Sequence, residues 1–279
     1  MRYAIFYAVV LLFSSLTACA QKSDHLITIH TEFGEMKVVL FDDTPLHKDN
    51  FLKLAKSGRY DGTLFHRVMK EFMIQGGDIN AKEGSKPAKE NLIQPEFEAG
   101  HLHRKGALAA ARQPDNMNPE KKSSENQFYI VHGKVYTEDE LTLDEVKLNQ
   151  YIGQLLNKPD HAALRDEIME LQKAKDMAGL DAKVRSCKEL IEKEFNVSLA
   201  KEMAPDQIAA YTSQGGAPHL DGDYTVFGQV ISGMEVIDAI ADQQTGFANR
   251  PSKDIPMTVV VEEMKKKKIT KLYGYQYAE

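Results

Sequence analysis

The chain has 279 residues, of which 42% are hydrophobic and 27% charged, with a formal net charge of −6. That length sets a prior of one to two domains with the composition of a soluble globular protein. The mild negative balance speaks against a general nucleic-acid binder, which would carry a basic stripe, so no nucleic-acid partner is expected.

Residues 1–18 read as a leader. Arg2 supplies a positive start, and Tyr3 to Leu16 is an apolar run too short and too poorly flanked for a stable membrane span. The run ends in Leu16-Thr17-Ala18-Cys19, which resembles the lipobox of bacterial lipoproteins, where the cysteine thiol is diacylated before cleavage. The alternative is a plain secretory signal with an incidental cysteine. Of the two cysteines the other is Cys187, so the mature chain has no internal disulfide framework. The resemblance implies lipidation at Cys19, a membrane partner through that anchor, a short polar tether over 19–24, and a place in the bacterial cell envelope facing the periplasm or the cell surface. Gln21-Lys22-Ser23-Asp24 is faintly similar to the surface-export tag of Bacteroidetes lipoproteins but lacks its acidic run, leaving the leaflet open.

Leu26–Thr31 and Met36–Phe41 are β-rich and flank Glu32-Phe33-Gly34-Glu35, which predicts a hairpin. Asp43-Thr44-Pro45 opens a helix with proline in its first turn. Phe51, Leu52, Leu54 and Ala55 supply its apolar face and Gly58 its stop. Phe65 to Asp78 then reads Phe-His-Arg-Val-Met-Lys-Glu-Phe-Met-Ile-Gln-Gly-Gly-Asp. Arg67 is a fixed cation flanked by apolar residues, an expensive arrangement unless it has work to do. Gly84–Gly100 reads as a polar loop. His101-x-His103 lacks a third ligand at suitable spacing, so two solvated imidazoles are expected there rather than a metal. Gly106–Arg112 is a small-residue strand, Pro114–Ser124 a polar loop, and Asn126–His132 a further strand.

Phe-His-Arg followed by Phe-Met-x-Gln-Gly-Gly-Asp resembles the cyclophilin family of peptidyl-prolyl isomerases. The strand ending in Ala111-Arg112, the Gln127-Phe128-Tyr129-Ile130 strand and Leu220-Asp221-Gly222 followed by Phe227-Gly228 extend the likeness. It covers 25–133 and 211–264. It implies a mainly β fold: a closed antiparallel eight-stranded barrel capped by two helices, the second near Gly233–Ile240, with Met257–Val261 as closing strand. Residues 134–210 depart from the pattern as an inserted α-helical subdomain, and 265–279 form a C-terminal extension.

Within the insertion, Thr137 to Glu140 fits a capping box. A helix bearing Leu148, Tyr151, Ile152, Leu155 and Leu156 runs to Asn157; a second, capped by Asp160, carries Leu164, Ile168 and Leu171 on one face and ends near Gly179. A third carries Val184, Cys187, Leu190, Ile191 and Phe195, and a fourth, short one begins at Pro205 and contains Ile208 and Tyr211. Cys187 lies on an apolar stripe and reads as a small core residue. Lys265–Lys268 reads as a solvated strand end, with contact to anionic lipid the sharper alternative. Tyr273, Tyr275 and Tyr277 alternate with period two, which predicts a lengthened closing strand.

The resemblance assigns Arg67 the catalytic role of donor to the twisted prolyl amide. Gln75, Ala111 and Arg112 would hold substrate backbone. Phe72, Met73, Tyr129 and Leu220 would line the prolyl pocket with Tyr224 at its edge, and His219 stands where eukaryotic members have tryptophan. Proline-containing polypeptides are the implied clients, and neither a cofactor nor a metal is implied. Two functions fit: an isomerase for exported proteins, or a non-catalytic module that holds proline segments, with recognition by the insertion.

Overall fold

The computed structural model describes residues 22–84 and 91–277; the leader and Cys19 lie outside the described residues. β1 (Ser23–Thr31) and β2 (Gly34–Leu40) form the expected hairpin. β1 begins inside the stretch expected as tether, Ser23 pairing with Lys265 and Asp24 with Met264, so a tether over 19–24 stops short of Ser23.

α1 (Pro45–Lys56) has proline in its first turn, where a missing N–H is harmless. Thr44 makes no side-chain cap. The Glu96 carboxylate arrives from a distant loop instead, accepting from the N–H groups of Leu46 (3.0 Å) and His47 (3.1 Å) and from His47 Nδ1 (2.6 Å). An anion at a helix N-terminus also complements its dipole. His47 is buried, its Nε2 2.8 Å from Ser123 Oγ.

The chain continues through β3 (Phe65–Met69), β4 (Met73–Gly76), α2 (Ile79–Glu83), β5 (Leu92–Ile93), β6 (Ala107–Ala110), β7 (Ser123–Ser124) and β8 (Phe128–Val131). β5 and β7 pair with each other inside the two stretches expected to be loops. The insertion supplies α3 (Glu138–Thr142), α4 (Glu145–Leu156), α5 (Ala162–Ala174), α6 (Met177–Ser186), α7 (Lys188–Phe195) and α8 (Pro205–Ser213). β9 (Val226–Ser232), α9 (Met234–Ala241), β10 (Thr258–Lys265) and α10 (Lys266–Tyr273) complete it.

Eight strands form one antiparallel sheet in the order β10-β1-β2-β9-β6-β8-β4-β3. The sheet curls, but its edge strands β10 and β3 do not pair. They approach through a single bridge, Leu64 to Pro256, and backbone bonds such as Gly62 N–H to Met257 O (2.8 Å) and Phe65 N–H to Ile255 O (2.9 Å). A half-barrel describes it better than the closed barrel expected. Inside lie Ile27, Ile29, Val38, Phe51, Phe65, Phe128 and Phe227, covered by Leu54 of α1 and Ile237 and Ile240 of α9.

The helical lobe has its own core of Leu143, Leu148, Ile152, Leu155, Ile168, Cys187, Ile191 and Leu199. Its neck is closed by a bridge between Leu143 and Ala200 and by Lys201 N–H to Thr142 O at 2.7 Å. The self-contained lobe is therefore 143–200, narrower than 134–210, and α3 and α8 lie on the barrel side of its neck. The capping box at Thr137 is present, but it opens the short α3, while Asp144 caps α4. The second long helix ends at Ala174 with Lys175 left-handed, not near Gly179, and Asp176 caps α6 through Gly179 N–H at 2.9 Å. Asp160 caps nothing there; it sits in a 3₁₀ turn before α5. At the C-terminus the predicted strand extension is replaced by α10, whose Ile269 packs with Leu26, Val39 and Met264 beneath Tyr273, Tyr275 and Tyr277. No helix among the described residues is long and apolar enough to cross a membrane.

Candidate active site

Strand side chains alternate between faces, so β4, β6, β8 and β9, which feed the inner core, also feed a second, outer cluster. In β8, Phe128 and Ile130 point inward while Tyr129 and Val131 point out. In β6, Leu108 and Ala110 point inward, leaving Ala107, Ala109 and the following Ala111 on the outer face. β3 would put Arg67 on the same face as the buried Phe65 if it were regular. It is not: the register slips at His66, so Phe65 lies opposite Gly76 and Arg67 opposite Gln75. That bulge turns Arg67 outward while Phe65 and Val68 both stay in the core. Gly77, with φ of 82°, lets β4 turn away against β8; a Cβ there would sit 2.7 Å from Asn126 O.

The result is a hollow of about 90 Å³ lined by Arg67, Phe72, Met73, Gln75, Ala111, Arg112, Tyr129, Leu220 and Tyr224. Eight of the nine substrate-binding residues assigned from the sequence therefore line one hollow with Arg67. The ninth, His219, stands beside it with its ring 5.3 Å from that of Phe72, and burial holds its imidazole below the ordinary histidine range. A larger hollow of about 750 Å³ continues past Arg67, lined by Thr63, His66, Asp78, Phe247 and Arg250 among others.

Arg67 is held at both ends of its fork: Nη1 donates to Gln75 Oε1 (3.2 Å) and Nη2 to Met69 Sδ (3.2 Å). Gln75 Nε2 in turn donates to Gln127 Oε1 at 3.0 Å. Neither partner is an anion, so among the described residues the guanidinium charge is oriented without being paired to a carboxylate. Arg112 is fixed differently. Its Nε donates to Asp223 O (2.8 Å), its Nη1 to Asp115 Oδ1 (2.6 Å), and its plane lies 4.3 Å over the Tyr224 ring. Asp115 neutralises it, which suits a positioning role better than an electrostatic one.

Behind the hollow runs a chain of polar groups that sequence reasoning did not find. Tyr129 Oη is 2.9 Å from His103 Nε2, and His103 Nδ1 is 2.9 Å from Asp221 Oδ1, which also accepts from the His103 backbone N–H at 2.9 Å. Tyr211 Oη donates to Asp221 Oδ2 at 2.5 Å. His103 is fully buried, not the solvated imidazole expected, while His101 stacks on Phe41 and bonds Asp43. Among the described residues no cluster of three or more histidine, cysteine, aspartate or glutamate side chains could hold a metal. Burial pushes the Tyr129 phenol well above its usual range; burial and then the Asp221 bond do the same to Tyr211. Both phenols therefore keep their protons and can donate hydrogen bonds. Asp221 was visible in Leu220-Asp221-Gly222 and Gln127 in the β8 motif, but neither motif discloses what its side chain bonds.

The model of the cyclophilin type peptidyl-prolyl cis-trans isomerase family matches residues 26–156 and 156–262. The chain belongs to the cyclophilin family. Among relatives of this cyclophilin is a Streptococcus pyogenes protein named as a bifunctional phosphatase/peptidyl-prolyl cis-trans isomerase, 31% identical over 82% of this chain. The chain spans 37% of that relative's length. A Staphylococcus haemolyticus protein named as a peptidyl-prolyl cis-trans isomerase is 28% identical, the match covering 84% of this chain and 89% of its own. A Cryptosporidium parvum cyclophilin, solved in the presence of the dipeptide Ala-Pro, shares the fold with a TM-score of 0.50 at 18% identity, over 85% of this chain and 98% of its own.

Proposed function

We propose that this cyclophilin catalyses cis–trans isomerisation of prolyl bonds in exported envelope proteins, with Arg67 stabilising the twisted amide. The observation that carries the reading is a guanidinium with no carboxylate partner among the described residues, braced by Gln75, beside a small hollow with Phe72, Met73, Tyr129 and Leu220 in its wall. A volume of about 90 Å³, about three waters' share of the liquid, suits a single prolyl ring. Relatives named as prolyl isomerases and a family member solved with Ala-Pro support the substrate class.

The chemistry needs no nucleophile. Rotation about an X–Pro bond faces a barrier of about 18–20 kcal/mol because amide resonance is lost in the twisted state. As the bond twists, the prolyl nitrogen pyramidalises and its lone pair becomes an acceptor. A donor positioned there binds the twisted state better than either planar one, and that difference lowers the barrier. One charge-assisted bond contributes about 1.5–3 kcal/mol, or about one to two decades of rate. Gln75 and the Ala111-Arg112 strand end would hold the flanking backbone so that rotation occurs about the bond itself.

Exchange spectroscopy by NMR on an Ala-Pro peptide tests the activity: the protein at catalytic concentration should link the cis and trans resonances. Binding without exchange would make it a holding module instead. The envelope location rests on the lipobox-like Leu16-Thr17-Ala18-Cys19. Cys19→Ser should move the protein from the membrane pellet to the soluble envelope fraction, and a variant that still pellets contradicts lipid anchoring there.

A further inference from the structure

Tyr211 ends up beside the site although it belongs to α8, the helix that returns the chain from the lobe. The chain leaves the barrel towards α3 through Gly133 and returns after α8 through Gly215, both left-handed, where the backbones pass so closely that a Cβ on Gly215 would lie 2.5 Å from Lys134 O. The Lys134–Gly216 and Arg104–Gly216 bridges then tie this crossing to the segment carrying His103. Tyr211 packs against that crossing, fully buried, and its hydroxyl reaches Asp221. From there the bonds run through His103 to the Tyr129 hydroxyl, with His103 fully buried and Tyr129 4% exposed.

We propose that Tyr211 is a positioning residue for the prolyl hollow, acting through Asp221 and His103 to hold the Tyr129 ring in place as its wall. This rests on the reading of that hollow as the prolyl site. Tyr129 alone has a hydroxyl that apolar surroundings would leave unpaired, and a buried hydroxyl without a partner is costly. His103 supplies the partner on the side away from the hollow. With Nδ1–H donated to Asp221, Nε2 is left to accept the Tyr129 proton. Asp221 can hold the imidazole in that tautomer because its other oxygen is fixed by Tyr211. The last helix of the insertion therefore sets the wall against which a prolyl ring packs. A prolyl ring needs that wall equally in the planar and twisted states, so weakening it raises KM and spares kcat.

The test is a double-mutant cycle in peptide isomerisation kinetics with Tyr211→Phe, Tyr129→Phe and the pair. Tyr211→Phe should raise KM about fivefold, the loss of one hydrogen bond, with kcat unchanged. In the Tyr129→Phe background it should do nothing further, because the link it acts through is gone. An unchanged KM, a fall in kcat instead, or the same KM increase in both backgrounds overturns the proposal. The ¹⁵N spectrum of the His103 imidazole in the wild type provides a second readout that needs neither variant nor turnover. A protonated Nδ1 with an accepting Nε2 supports the relay, and the opposite tautomer overturns it. An inactive wild type showing the expected tautomer would fail the prolyl reading while leaving the relay standing.

Discussion

Arg67 and Tyr129 illustrate how much a single side chain's surroundings decide. Arg67 was readable from the sequence because its motif is local: Phe65-His66-Arg67 and Gln75 lie on adjacent paired strands, and the bulge that aims Arg67 lies within the motif itself. Tyr129 was readable as a pocket wall but not in its bonding, since His103, Asp221 and Tyr211 come from separate segments and meet only in the folded chain. The same holds for Glu96, whose cap on α1 the sequence around Thr44 does not betray. Tyr129→Phe removes one oxygen yet strands His103 Nε2 in a fully buried position. An unsatisfied buried group of that kind costs about 1–3 kcal/mol, so the urea midpoint of Tyr129→Phe should fall without a change in slope. A midpoint equal to that of the wild type would contradict the bond.

Elements with strong periodicity were legible, and those decided by tertiary packing were not. The β1–β2 hairpin and α1 follow directly from alternation and Pro45, while α9 was implied by the family resemblance at Gly233–Ile240. The helix breaks inside the insertion were misplaced because Gly179 reads as a stop, whereas Lys175 adopts the left-handed cap and Asp176 restarts the chain one residue later. Period-two tyrosines at the C-terminus suggest a strand, but Ile269 draws Lys266–Tyr273 into a helix against Leu26 and Met264. The lobe's independent core makes a clean excision possible: Thr142 and Lys201 are hydrogen-bonded neighbours at its neck. Replacing residues 143–200 by a short glycine-rich linker keeps α3, α8 and Tyr211. Turnover of a short proline peptide should be unchanged, while proline-limited refolding of a full-length client should slow. Equal treatment of peptide and protein clients by both forms would remove any role for the lobe in client recognition.

Over the whole molecule, histidines partly or fully withdrawn from water make stability depend on mild acid. His25, His47, His66, His132 and His219 are all held below the ordinary value of 6.5, in each case chiefly by burial. A lowered histidine favours the neutral form in the folded state, so the unfolded chain binds more protons as pH falls below about 6.5. The contribution is fully present above that pH and is lost on acidification towards the lowered values. Asp42, held at about 2 by Lys266 and Lys48, acts only in stronger acid, below its ordinary 3.8. The urea midpoint should therefore decline between about pH 7 and about pH 5, within the histidine range. A midpoint that stayed level or rose across that interval would contradict the lowered affinity of these imidazoles for protons.

On the proposed mechanism Arg67 acts on the twisted amide and not on the resting peptide. NMR exchange on an Ala-Pro peptide, with affinity measured alongside, compares the wild type with Arg67→Ala. Arg67→Ala should fold and bind the peptide nearly as well but exchange its isomers about 10–100-fold more slowly, the contribution of one charge-assisted bond. Equal exchange rates in the two proteins would contradict it.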